Sequence, residues 1–342
     1  MATAIRGARH TAPVIVVAGE CLVDLLPAAE QPGLLRPVLG GGPFTAARSV
    51  GRLGGEVAFL GTLSTDSYGR AARTALAQSG VRDDWAPVTE LPTTLAAVDL
   101  SSQEAARYLF YTEGTSAPAL SVAQADAVLA ADPNALLVGT LGLVLEPCAD
   151  ALAALVDRVP EQCLVMIDPN TRPAALTRPD VAARYRDRLQ TVLGRADVIK
   201  VSTEDLAWLR SDLQVADAAA ELAREHDALV LLTDGGRGVL VRTPGDQAWV
   251  DVPGVEVVDT VGAGDSFCGG FLATLAAPDH RPAGDLFDLA PDGAVLTAVR
   301  RAVLVAAITC TRVGADPPTT DEVDALTART GPPAATGPAG RN

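Results

Sequence analysis

The sequence predicts an α/β fold of three layers, α/β/α, around a central, mostly parallel sheet, with a small β-sheet lid. From residue 121 onward, apolar runs of strand length alternate regularly with amphipathic stretches of helix length. That is the pattern of a parallel sheet covered by helices on both faces through right-handed crossovers. The first strand run, 14–18, is continuously apolar, as a strand buried on both faces is. Two segment pairs, within 22–39 and 94–111, read instead as exposed strands and form the lid.

In chain order, 14–18 is a strand ended by Gly19-Glu20, and 22–27 with 34–39 make a hairpin around Gln31-Pro32-Gly33. Asp24 lies inside that hairpin, an acid among Leu and Val, facing either solvent or a ligand. Gly40-Gly41-Gly42-Pro43 opens a helix, with proline in the first turn and Ala47, Val50 and Leu53 on one face. Such a start is either a flexible turn or a backbone edge that lets a polar ligand approach. A strand (57–62), a helix (68–80) and the second lid pair (94–100 and 107–111) follow.

The alternation then runs helix 122–131, strand 135–139, helix 147–159, strand 163–168, helix 179–193 and strand 197–201. Helices 203–209 and 216–226, strand 228–233 and a hairpin of 238–242 with 247–252 come next, and a helix at 294–310 closes the fold. Ligands in such sheets sit at the carboxyl ends of the strands. Gly19-Glu20, Asp168-Pro169-Asn170, the 202–205 segment and the 233–238 segment all lie there. The structured domain spans 13–330; 1–12 and the Gly-, Pro- and Ala-rich 331–342 are expected to be flexible tails.

The stretch with the most chemistry is Asp259-Thr260-Val261-Gly262-Ala263-Gly264-Asp265-Ser266-Phe267-Cys268-Gly269-Gly270-Phe271-Leu272. Phe267, Cys268, Phe271, Leu272 and Leu275 recur at helical spacing, so a helix begins near Gly262. The unpaired amides of a glycine-rich helix start are a seat for an anion, most naturally a phosphate. Asp265 in that first turn suits a base beside a transferring phosphoryl group; the plainer alternative is an ordinary helix-start acid. A dinucleotide fingerprint would need glycine where Phe267 stands, and a Walker loop would need a lysine, yet the chain's one lysine is Lys200. None of His10, His226 or His280 precedes Arg-Asp, which excludes protein-kinase machinery. A phosphate site with its own aspartate and no lysine is the expectation.

The chain's 342 residues suffice for a full core without staples. With 42 acidic against 27 basic residues, a net charge of −15 argues against nucleic acid and anionic membrane as partners. Cys21, Cys148, Cys163, Cys268 and Cys310 are scattered, without a C-x-x-C pair, and suit free thiols in a reducing cytoplasm. No apolar run approaches a membrane span, and with three histidines a zinc site is not expected.

Residues 259–271 resemble the carboxy-terminal signature of the ribokinase-like (PfkB) carbohydrate kinases, and the likeness extends over 13–325, closest to the fructokinase-like branch. The resemblance implies a single ribokinase-like domain that phosphorylates a sugar hydroxyl with ATP and Mg²⁺, and with K⁺ in many members. It casts Asp265 as the base and the Gly262, Ala263 and Gly264 amides as the seat of the transferring phosphate, Gly264 also touching the nucleotide. It gives sugar contacts to Asp24, Gly41, Gly42, Thr45 and Arg172. Thr45 stands where the family carries asparagine, and one hydroxyl cannot both donate and accept as an amide group does. Tyr108, with Phe110 and Tyr111, concentrates in the lid aromatics that are scarce elsewhere, read as packing or sugar contact.

On the nucleotide side the resemblance points to Asn170, Ser202, Thr233, Gly235 and Gly238. It gives the Mg²⁺ waters to Asp168 and Asp205, the latter one methylene shorter than the family's glutamate, and a monovalent cation to Asp259 with 310–315. The Ser202–Asp205 pair also reads as a plain helix cap. Fructose is the expected acceptor, with 2-keto-3-deoxygluconate, ribose or a nucleoside as alternatives. A sugar-binding regulatory protein without catalysis is the rival of another class. A homodimer through the lid is expected from its exposed strands.

Overall fold

The computed structural model describes residues 14–28, 33–99, 107–276 and 286–336. The expected tail 1–12, the Gln31-Pro32 corner of the first hairpin and Leu100 of the second lid pair lie outside the described residues.

The first half of the chain runs β1 (Ile15–Ala18), β2 (Leu22–Pro27), β3 (Leu35–Gly40), α1 (Gly42–Arg52), β4 (Val57–Leu60), β5 (Leu63–Ser64), α2 (Ser67–Gln78), β6 (Val88–Thr89), β7 (Leu95–Asp99) and β8 (Arg107–Tyr111). The alternating part follows with α3 (Val122–Ala125), β9 (Ala135–Gly139), α4 (Cys148–Arg158), β10 (Leu164–Asp168), α5 (Pro179–Leu193), β11 (Val198–Ser202), α6 (Thr203–Leu209), α7 (Val215–His226) and β12 (Leu229–Thr233). The chain ends with β13 (Val239–Arg242), β14 (Gln247–Val250), α8 (Ala263–Leu275), α9 (Ala294–Thr309), α10 (Thr320–Thr330) and β15 (Ala335–Thr336).

Among the described residues the main sheet has nine strands in the order β15-β14-β13-β12-β11-β10-β9-β1-β4. From β12 to β4 every neighbour is parallel, and β13, β14 and β15 continue the sheet antiparallel. The reason β1 is apolar throughout is visible in the register. Val16 lies beside Leu136 and Ala58, and Leu136 beside Val165, all in one core cluster. Val17, Leu137, Phe59 and Met166, each one residue on, belong to the cluster on the other face. Leu152, Leu155, Leu189 and Leu222 of α4, α5 and α7 cover the first face. Phe44, Leu76, Phe267, Phe271 and Val299 of α1, α2, α8 and α9 cover the second. Each such fully buried side chain contributes about 1.5–3 kcal/mol, so the sandwich is fixed from both sides.

The lid is a four-stranded sheet, β3-β2-β7-β8. On β8, Tyr108 and Phe110 are half-buried and stacked, ring centroids 6.2 Å apart, whereas Leu109 and Tyr111 are exposed. The lid therefore has an inner aromatic face and an outer one.

Three expectations change. The helix expected over 122–131 is α only to Ala125 and 3₁₀ over Asp126–Ala131, tightening into Asp132 at φ 50°. The 294–310 helix does not close the fold, because α10 follows, opened by Thr319 and Glu322 in a capping box that was visible in the sequence. The tail from Gly331 is not all flexible. Ala335–Thr336 pairs with β14, Asp251 donates to Ala334, and Arg300 donates to the carbonyl of buried Pro333. This segment covers what would otherwise be an open sheet edge; residues 337–342 lie outside the described ones.

Candidate active site

A pocket of about 520 Å³ opens at the carboxyl ends of β1, β9, β10, β11 and β12, between the main sheet, the lid and the start of α8. Parallel strands put all those ends on one side, so residues far apart in sequence meet there. Asp24, Gly41, Gly42, Thr45, Tyr108 and Arg172 line its lid side, and Asn170, Ser202, Thr233, Gly235, Gly262, Gly264 and Asp265 line the rest. Of the expected site residues, Ala263, Asp168, Asp205, Gly238 and Asp259 are not in that wall.

Asp265 sits in the first turn of α8, whose cap Gly262 has φ 76°, a left-handed conformation that favours glycine. A side chain at Gly262 would also meet Ala315, whose Cβ lies 2.5 Å from the position a Cβ would take. Asn170, itself at φ 37°, donates from Nδ2 to Asp265 Oδ1 at 3.2 Å. Burial pushes the Asp265 carboxyl above its ordinary value, and the positive charges of Arg172 and Lys200 oppose that shift.

Asp24 projects from β2 opposite Val38, and Gly40, two residues further along β3, leaves its side chain room, since a Cβ there would lie 2.0 Å from Asp24 Oδ2. Burial raises Asp24 to about 6; Asp265 adds repulsion and Arg172 opposes both. Thr45 is buried, and its Oγ1 has no hydrogen-bond partner among the described residues. Gly42 is an edge of another kind than expected. Its amide donates to Glu20 Oε1 at 3.2 Å, so that N–H is already spent.

The largest departure is Lys200, because a site without lysine was expected. The only lysine of the chain reaches the pocket from β11, and its Nζ lies 3.0 Å from where a Cβ on Gly264 would stand. It donates to Asp168 Oδ1 and Oδ2 at 3.3 and 3.2 Å, and Cys268 Sγ lies 3.4 Å from Oδ2. Burial is the largest influence on Lys200 and opposes its charge, but the neighbouring Asp168, with Cys268, Asp205 and Asp265, together outweigh it and hold the lysine charged; burial raises Asp168 to about 6 against the pull of Lys200. Asp168 is thereby joined to the pocket through Lys200. A lysine inside the Val-Ile-Lys-Val-Ser strand was the readable signal, since lysine is almost never buried unless paired.

Asp205 has backbone partners. Oδ1 accepts from Thr171 N at 2.6 Å and Oδ2 from Ser202 N and Oγ at 2.8 Å each, while Asp205 N returns a bond to Ser202 Oγ. The cap reading therefore describes its geometry, and the acid lining the pocket from α6 is Glu204, which sequence reasoning did not single out. Gly238, at φ 141°, packs beside Trp249 and closes the 234–238 turn. Asp259 joins two loops, accepting from Val261 N at 3.0 Å and Gly314 N at 2.8 Å. Among the described residues no group of three or more His, Cys, Asp or Glu could hold a metal ion alone, and no helix is long and apolar enough to cross a membrane. All five cysteines are free, four of them buried.

This geometry can be set beside known proteins. The pattern described as pfkB family carbohydrate kinase matches residues 13–322. A fructokinase of Rhizobium leguminosarum bv. trifolii is 36% identical over 270 residues, 77% of this chain and 79% of that protein. Probable fructokinase-3 of Arabidopsis thaliana is 31% identical over 322 residues, 92% of this chain and 90% of that protein. The crystal structure of a fructokinase with bound ATP from Xylella fastidiosa superposes with a TM-score of 0.81 at 29% identity, covering 92% of this chain and 98% of that one. A fructokinase double mutant from Vibrio cholerae O395, in a form with fructose, ADP and potassium ion bound, gives 0.78 at 26%, covering 92% and 97%. The fold is ribokinase-like, and with a family match across most of its length the chain belongs to the pfkB family of carbohydrate kinases, sugar phosphotransferases.

Proposed function

We propose that this sugar kinase transfers the terminal phosphoryl group of ATP to a hydroxyl of fructose, with Asp265 as the base. The observation that carries the reading is one carboxylate, Asp265, lying at a helix start beside Lys200 and across the pocket from Asp24 and Arg172. Fructose is supported by the names of the relatives and by the fructose-bound Vibrio cholerae structure.

Asp24, Arg172 and Tyr108 hold the acceptor against Asp265, which takes the proton of the attacking hydroxyl. The α8 amides and Lys200 stabilise charge on the transferring phosphoryl oxygens. Thr233, Gly235 and Ser202 line the side on which the nucleotide lies, and the lid excludes water. Bound Mg²⁺ supplies neutralisation of phosphate charge. With Asp205 committed to its cap and Asp168 to Lys200, Glu204, which lines the pocket, is the acid that would hold the metal's waters. A monovalent cation belongs beside Asp259, and K⁺ stimulation of turnover tests it. Leu109 and Tyr111 on the outer lid face support a dimer through the lid, which light scattering tests.

The deciding experiment is ADP release with Mg-ATP across fructose, 2-keto-3-deoxygluconate, ribose, adenosine and a blank. Turnover with fructose well above the others is expected. A different preferred acceptor would reassign the sugar, and binding without turnover would favour a regulatory protein.

A further inference from the structure

Glu20 is 2% exposed at the end of β1, and its hydrogen-bond donors are two backbone amides and a hydroxyl. Oε1 accepts from Gly42 N at 3.2 Å and from Thr140 Oγ1; Oε2 accepts from Gly142 N at 2.8 Å. One carboxylate therefore ties the end of β1 to the start of α1 and to the turn after β9. Burying a carboxylate without a cationic partner is expensive, so stability alone is a poor account of it.

What it holds is unusual. Thr140 lies at φ 56°, a left-handed conformation that β-branched residues avoid and that persists only where surroundings enforce it. Its hydroxyl turns to Glu20 and its methyl to Gly42, where a Cβ would lie 2.6 Å from Thr140 Cγ2 and 3.0 Å from Asp265 Oδ1. Gly42, Thr140 and Asp265 also line, with Asp168 and Cys268, a small cavity beneath the pocket. The chain of contact from Glu20 to the base is two residues long.

We propose that Glu20 is a positioning residue of the phosphotransfer site: it holds Thr140 in its left-handed conformation and the Gly42 amide in place, and so fixes the wall against which Asp265 and the acceptor hydroxyl are set. This rests on Asp265 being the base that acts on a sugar hydroxyl.

Glu20→Gln tests it, because a carboxamide presents N–H groups where one backbone amide needs an acceptor. kcat/KM for the sugar should fall about ten- to hundredfold, with KM for ATP nearly unmoved. In a Thr140→Gly background, where a left-handed residue carries no strain and only the Gly42 and Gly142 amides still lean on Glu20, the same change should lower it by clearly less than in the wild-type background. An equal loss in both backgrounds, or a matching rise in KM for ATP, overturns the proposal. If Glu20→Gln does not fold, Thr140→Val removes the hydroxyl and leaves the carboxylate; sugar kcat/KM should fall, and an unchanged value overturns the proposal. Hydrogen exchange on whichever variant folds reads the same claim without turnover. Faster exchange confined to 41–45 and 139–143 is expected, with 229–238 unaffected, whereas unchanged or uniform exchange overturns it. A wild type inactive on every sugar would sink the kinase reading separately, since the exchange pattern needs no activity.

Discussion

The two glycine-rich helix starts, Gly41-Gly42 of α1 and Gly262-Ala263-Gly264 of α8, look alike in sequence, and their helices are joined by Ser49 Oγ donating to the Ser266 carbonyl. Each is capped by a glycine with positive φ, 103° at Gly41 and 76° at Gly262. Their electrostatic surroundings differ. A buried carboxylate, Glu20, has taken the Gly42 amide, while a buried ammonium, Lys200, stands beside Gly264. At the first the amide is already taken by an acid whose carboxyl burial pushes up to about 7, whereas at the second an anion is drawn to the lysine. A glycine-rich helix start thus becomes a phosphate seat only by virtue of the charge the fold brings to it.

The sharpest way to break this comparison is at the base. Asp265→Asn keeps the shape of the α8 start but removes the proton acceptor, and should lower kcat about 10²–10⁴-fold with an unchanged thermal midpoint. A loss under tenfold would mean the hydroxyl proton goes elsewhere.

Lys200→Met removes the cation that distinguishes the second start and strands Asp168 in the interior, which should destabilise the protein by about 3–5 kcal/mol in urea unfolding. Adding Asp168→Asn should restore much of that; a double variant as unstable as the single would mean the pair is not the reason.

Matched glycine substitutions probe the division of labour. Gly42→Ala places a methyl against Thr140 and Asp265, and Gly264→Ala places one against Lys200 Nζ. Overpacking of this kind costs about 1–3 kcal/mol. The first should appear in kcat/KM for the sugar and the second in KM for ATP. If both move the same parameter, the two starts do not divide the substrates.

The smallest effect is in pH. Burial raises Asp265 and raises Asp24 to about 6; Asp265 must be ionised to take the hydroxyl proton, and Asp24 to accept through both oxygens. Sugar kcat/KM should therefore fall as pH drops through about 6, well above where an ordinary aspartate titrates. Asp24→Asn should remove its share of the acid limb while leaving that of Asp265.

By itself the sequence determined the layers and the reacting group. Val14 to Ala18 had to be a strand buried on two faces, because apolar residues at consecutive positions point to opposite sides of a sheet. Gly262 to Asp265 had to open a helix, because the apolar residues after it keep helical period. What sequence could not decide was which distant groups would meet. Lys200 and Asp168 are 32 residues apart, Thr140 and Glu20 are 120 apart, and local periodicity carries no information over such separations. The parallel register of β1, β9, β10 and β11 brings their carboxyl ends together, and only that packing pairs the lone lysine with an acid, places its charge at one glycine-rich start and leaves a buried carboxylate at the other.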